Sequence, residues 1–298
     1  MAFDEAVERV CAHLVAQVPE LAVLPQVVAR VLELSNDPSS DCRDYERTIS
    51  VDPGFAARLL TLANSSYYAL PKKITAIKEA VIILGARALR SLALTATGYN
   101  LFLGKNDKDS QIRRRLWRHS VNTAVMARAL ANRLLPSWVD EAFTAGLLHD
   151  AGKSIMASAK PEEYLRSLEL QTEMNISSRD AEIEMFGVDH TQVGAKLAEG
   201  WRLPAILAAP IQWHHTPELA EQDSALCALV GIADASAPLL DSAHGCPDEA
   251  DILEAAANLR FPQSALTILG HSNDQMLQLC AACAARASRD GMLEGWEV

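Results

Sequence analysis

The 298-residue sequence has few aromatics, no cysteine framework, no long basic stripe and no run of alternating residues, and each shortage excludes a class of protein. Cys11, Cys42, Cys227 and Cys246 are isolated, while Cys280 and Cys283 form a lone CxxC within the alanine-rich run LQLCAACAARAS. A spacing of three puts both thiols on one helix face. Without a second CxxC or a neighbouring strand pattern, they read as small core thiols rather than a zinc or redox site. Reduced thiols fit a cytoplasmic protein. The net charge of −11 and the shortage of aromatics argue against an extended nucleic-acid footprint or an anionic-membrane surface. An anionic ligand would therefore need a local positive centre. No apolar run approaches the roughly 20 residues of a membrane span. The opening MAFDEAVERV is acidic and amphipathic, so no leader segment is expected.

What the sequence does have is apolar periodicity at helical spacing. About half its residues are apolar, enough to bury a substantial core in one large domain or two ordinary ones. PQVVARVLELS places apolar residues three and four apart, with Pro25 suited to a first helical turn. In DPGFAARLLTLANSS, Asp52 is a candidate N-cap, Pro53 the first helical residue, and Leu59, Leu60 and Leu62 the apolar side. ITAIKEAVIILG stops at Gly85, and a further helix follows. With no sheet pattern, the class is all-α. The polar break GKNDKDS, Gly104 to Ser110, separates an N-terminal helical bundle, 1–103, from a second helical unit, 111–240; a helical C-terminal extension covers 251–298.

The stretch AGLLHDAGKSI puts His149, Asp150 and Lys153 into an apolar helix. Burying such groups without partners costs roughly 2 to 7 kcal/mol or more each. The second unit supplies candidates at inward positions: His119, His190, the pair His214 and His215, and Asp234 in ALVGIADASA. Imidazole and carboxylate are ligands for borderline first-row metals, and helical bundles hold metals between facing helices. Each histidine alone reads better as a hydrogen-bonded core residue than as a ligand, the default kept for His13, His244 and His271. Repeated through one unit, that reading requires a separate partner for every group.

The order His119, His149-Asp150, His190, His214-His215, Asp234 resembles the HD superfamily of metal-dependent phosphohydrolases, which are all-helical. VLPQVVARVLELSNDP, ISVDPGFAARLLTLANSSYY and ITAIKEAVIILGARALRSLAL resemble the N-terminal signature of the HDOD family, the HD-related output domain. LWRHSVNTA, GLLHDAGK, FGVDHTQVGAKLAEGWRLP and the following WHH match its second half, so the resemblance covers Pro19 to Pro238.

That resemblance implies a signalling or regulatory module built on a phosphohydrolase fold. Many members have lost metal ligands, whereas here every position that can be aligned is filled. It further implies two divalent transition ions, with iron, manganese, nickel and zinc not distinguished. His119, His149, Asp150 and Asp234 would hold one, and Asp150 would bridge to a second held by His190, His214 and His215. A nucleotide or other phosphorylated small ligand and a signalling protein are the implied partners, with no nucleic acid and no membrane. If the site is active, the activity is that of a metal-dependent phosphohydrolase, with Asp150 and Lys153 as the catalytic candidates. Lys153 would stabilise charge on a phosphate; a salt bridge to Asp150 or a snorkelling side chain accounts for it equally well. Relatives that hydrolyse cyclic di-GMP carry a GYP motif after the paired histidines. Here the chain continues HHTPELAEQDSA, and Arg115 stands where some three-metal relatives have a carboxylate, so that activity is not expected. RRRLWR, Arg113 to Arg118, could contact a phosphate, but a basic cluster at the start of a helix reads better as a solvated face. Asn64 and Ser65 are expected to shape the junction with the second unit.

Overall fold

The computed structural model describes residues 5–22, 24–64, 68, 70, 72–103, 110–242, 249–257, 259–290 and 292. Among them there is no strand, so the all-α class holds. The first part of the chain folds as α1 (Glu5–Ala16), the short α2 (Pro19–Ala22), α3 (Gln26–Asn36), α4 (Cys42–Ile49), α5 (Pro53–Ala63) and α6 (Ile77–Leu103). A second series follows: α7 (Ser110–Leu134), α8 (Val139–Leu148), α9 (Ala151–Ala159), α10 (Pro161–Met174), α11 (Ser178–Phe186), α12 (His190–Gly200), α13 (Ala205–Trp213), α14 (Ser224–Ser236) and α15 (Pro238–Ser242). The C-terminal part contributes α16 (Glu249–Ala256), α17 (Gln263–Leu269) and α18 (Asn273–Arg289).

The helix boundaries follow local chemistry. Asp52 caps α5 by accepting from the Phe55 amide, with Pro53 in the first turn. Pro25 sits one residue outside α3 as its cap. Gly85 takes φ 82° inside α6 and breaks it, a conformation open to glycine at little cost. Asn64 closes a loop within the first unit rather than the junction with the second. Its side chain accepts from the Ile74 amide at 2.7 Å and donates to the Ile74 carbonyl at 2.8 Å. Ser65 lies outside the described residues.

The broken helix α6 joins the two halves, packing on α3, α4 and α5 on one side and on α7, α8 and α9 on the other. At that junction Arg90 donates to the buried Glu141 carboxylate at 2.9 Å, and Ser91 donates to the Asp140 carbonyl. Both acceptors stand at the start of α8, whose far end carries His149 and Asp150. The first and last described helices also pack on the second series. Helix α1 packs on α9 and α12, with Glu8 paired to Lys196, and α18 packs on α7. Cys280 and Cys283 are buried in α18.

Two expectations are corrected. Two segments, Ile77–Thr97 and Ser224–Asp241, are long and apolar enough to cross a membrane by length and composition. Both pack on several other helices, with Ile82 and Ile83 of the first left exposed; Gly85 interrupts the first, and the second carries Asp234. His13 is not a core residue: it lies exposed on α1, with its Nε2 3.0 Å from Gln17 Nε2. His271 is half-buried and donates to the Leu269 carbonyl, and His244 lies outside the described residues.

Candidate metal centre

Five helices and the turns that end them bring the seven predicted side chains to one place. His119 projects from the middle of α7, and His149 and Asp150 form the turn between α8 and α9. His190 opens α12, His214 and His215 follow α13, and Asp234 lies near the end of α14. The N-terminus of α12 is fixed by a capping box, in which Asp189 accepts from the Thr191 and Gln192 amides while Gln192 accepts from the Asp189 amide. Asp189 is itself held by Arg179 at 2.7 Å. Two glycines permit the approach. A Cβ on Gly152 would overlap the His190 carbonyl, and one on Gly231 would overlap the His214 carbonyl.

The side chains are oriented like a prepared ligand set. The Gly146 carbonyl accepts from His149 Nδ1 at 2.7 Å, and the Pro210 carbonyl accepts from His214 Nδ1 at 2.9 Å. A carbonyl only accepts, so in both rings Nδ1 carries a proton and Nε2 is the atom turned inward. His190 Nδ1 lies 2.6 Å from the Glu182 carboxylate, which also accepts the His190 amide at 2.8 Å. Glu182 was not foreseen. It is eight residues from His190 in the charged run SRDAEIEM, and no spacing rule distinguishes it from its exposed neighbours.

The inward atoms converge. His119 Nε2 is 2.9 Å from Asp234 and 3.5 Å from Asp150 Oδ2. His190 Nε2 is 3.3 Å from Asp150 Oδ1 and 3.2 Å from His215 Nε2. Three overlapping groups of three donors result: His119 with His149 and Asp150, His190 with His214 and His215, and His149 with His214 and Asp234. In each, the donor atoms lie within 4.8 Å of one another. His149 Nε2, His214 Nε2 and Asp150 Oδ1 are buried and accept no hydrogen bond. Three buried polar atoms without hydrogen bonds in one cluster fit a site that could hold an ion. Mixed imidazole and carboxylate donors fit a divalent transition metal.

Charge is unevenly spread over the metal-free cluster. Burial opposes ionisation of Asp150, but His149, Lys153 and His190 outweigh it and hold the carboxyl well below its ordinary value. Asp234 is likewise held low against burial by His119 and His149. Burial also opposes a charge on His149, yet Asp150 and Asp234 push it up to about 10. Burial, helped by neighbouring imidazoles, drives His214 well below its ordinary value and His215 down to about 4. Lys153 Nζ donates to Asp150 Oδ2 at 2.7 Å, so the salt bridge among the alternatives for this residue is present.

Two outcomes follow for the metal-free and metal-loaded protein. Glu182→Gln keeps the shape but removes the charge behind His190. Metal affinity should fall about 10- to 100-fold with little change in fold, as titration with a chromophoric chelator would show. The second outcome concerns pH. His149 is raised in the folded state, so its contribution is complete below about 6.5 and is lost as pH rises toward 10. The depressed values of His214 and His215 act only below that window. The melting temperature of metal-free protein should therefore fall between about pH 6.5 and about 8.5, before cysteine titration intrudes. Metal-loaded protein, with His149 neutral as a ligand, should show no such fall; parallel profiles would contradict the assignment.

Beside the cluster lies a pocket of about 360 Å³ whose floor includes His119, Asp150, Lys153, His215 and Asp234. A small molecule can thus reach the converging atoms from solvent.

The HDOD domain model matches residues 21–217. The chain belongs to the HDOD domain family. The match takes in six of the seven clustered residues and ends before Asp234, which α14 supplies from beyond it. An uncharacterized protein of Treponema pallidum is 30% identical over 223 residues, 73% of this chain and 43% of its own length. The chain therefore spans less than half of that relative. Among solved structures, a Shewanella amazonensis protein bearing the provisional name phosphohydrolase is 25% identical and superposes with a TM-score of 0.71 over 94% of this chain and 95% of its own. An HDOD domain protein of Geobacter sulfurreducens is 27% identical, with a TM-score of 0.63 over 88% and 91% of the two chains.

Proposed function

We propose that this HDOD chain is a cytoplasmic regulatory module whose metal centre binds a phosphorylated small ligand. The observation that carries the reading is the set of buried, unpartnered donors, His149 Nε2, His214 Nε2 and Asp150 Oδ1, opening beside a solvent-accessible pocket. His119, His149, Asp150 and Asp234 would hold one divalent ion, and His190, His214 and His215 a second, with Asp150 shared. Such a pair would supply an acidified water and an electrophilic clamp for phosphoryl oxygens.

The remaining work belongs to the chain's own residues. Glu182 and the Gly146 and Pro210 carbonyls hold the imidazole rings with Nε2 turned toward the cluster. Lys153 lies at the pocket floor with its ammonium on Asp150; a phosphoryl group entering there meets a positive charge. The α6 junction, through Arg90 and Glu141, ties the N-terminal half to the helix that ends in His149, a physical link by which ligand occupancy and the outer surface can influence each other.

The second reading, hydrolysis of a nucleotide or other phosphoester, is favoured by the access from pocket to cluster. Protein loaded with manganese, iron or nickel and given a phosphoester panel separates the two. Turnover abolished by Asp150→Ala establishes hydrolysis; binding without turnover establishes the regulatory reading; metal-free protein under all loading conditions refutes both.

A further inference from the structure

The pocket has a construction that the metal centre alone does not require. One wall is a single face of α7, where Ile112, Arg115, Leu116 and His119 recur at three- and four-residue spacing. A second part of the lining is one face of α10, where Tyr164, Ser167, Leu168 and Gln171 recur in the same way. Two helix faces beside the ligand cluster thus line one slot. Its carboxylates are committed: Glu182 to His190, Asp150 to Lys153 and Asp234 to His119.

Arg115 is one helical turn before His119 and exposed at the rim. Arg118, on another side of α7, pairs with Asp241 at 2.7 Å, whereas Arg115 has no ion-pair partner among the described residues. The basic run RRRLWR therefore divides, with one arginine directed to the slot. Guanidinium is planar and matches phosphate oxygens two at a time, which a solvated surface role does not use.

Resting on the metal-centre reading above, we infer that the slot takes the monophosphate ester of one flat ring system, with Arg115 gripping the phosphate and Gln171 reading the ring edge. Lys153 and Arg115 flank the phosphate end. Leu116 and Leu168 offer apolar faces to a ring, and the Gln171 amide supplies both a donor and an acceptor. At about 360 Å³ the slot is near the small end of ligand pockets, so it suits one nucleotide-sized ligand rather than two joined together.

The test is calorimetric titration of the metal-loaded full chain with inorganic phosphate, a nucleoside monophosphate and a cyclic dinucleotide, with metal content measured in every sample. The monophosphate should bind more tightly than phosphate or the dinucleotide. Arg115→Ala should weaken both phosphate and monophosphate by about tenfold or more, Arg115→Lys by less, and Gln171→Leu should weaken the monophosphate alone. Metal content and melting temperature should stay at wild-type values. Affinities within about twofold of wild type for Arg115→Ala, with metal bound, overturn the inference and leave the metal centre standing. Dinucleotide binding as tight as the monophosphate does the same. Wild-type protein that takes up no metal overturns both.

Discussion

Asp150→Ala should strip the cluster of metal and destabilise the metal-free protein by about 3 kcal/mol, the lower part of the range for breaking a buried ion pair. Asp150 is 1% exposed and is the one carboxylate that faces His119, His149, Lys153 and His190 together. Removing it leaves the Lys153 ammonium and the His149 imidazolium without their main counter-charge. The lower value applies because Lys153 borders the pocket and can turn toward water. Asp150→Asn keeps the volume and should recover part of the packing, but none of the charge. Urea unfolding followed by helical signal measures the stability loss, and elemental analysis measures the metal. A variant that retains both ions would show that Asp150 does not bridge.

Gly152→Ala, a change of one methyl group, should be comparably severe. The added carbon would overlap the His190 carbonyl and press on the Gly194 amide, so α9 and α12 would have to separate along their contact. Backbone atoms cannot rotate away as a side chain does, which puts the cost at about 3 kcal/mol, the upper end for overpacking. Separation also carries His190 away from Asp150, so metal held by His190, His214 and His215 should be lost first. Gly54→Ala is the control. Its nearest neighbour would be the Asp52 carboxylate at ordinary contact distance, and the effect should stay within about 1 kcal/mol. Equal losses at the two positions would mean that the close approach of α9 and α12 is not what Gly152 secures.

The ligand-type residues were legible because helices make polar groups conspicuous. His149, Asp150 and Asp234 interrupt apolar runs at inward positions, and a group that is costly to bury points to a partner. Asp52, Pro53 and Gly85 were legible because caps and breaks depend on local backbone chemistry. What escaped the sequence depends on contacts between distant segments. Glu182 looks like any charged residue of α11 until α12 is laid against it. Gly152 and Gly231 look like ordinary helical glycines until the carbonyls of His190 and His214 meet them. Arg115 could not be told from Arg118 by charge alone; only the orientation of α7 over the pocket separates them. Ile77–Thr97 and Ser224–Asp241 meet the length and hydropathy of a membrane span, and more than half of each is buried against other helices.

The central claim is that the seven clustered side chains bind two divalent ions. Anomalous diffraction from crystals of protein prepared without chelator tests it directly. The account predicts two peaks, one contacted by His119, His149, Asp150 and Asp234 and the other by Asp150, His190, His214 and His215. A cluster without anomalous density in protein loaded with manganese, iron, nickel or zinc would contradict it.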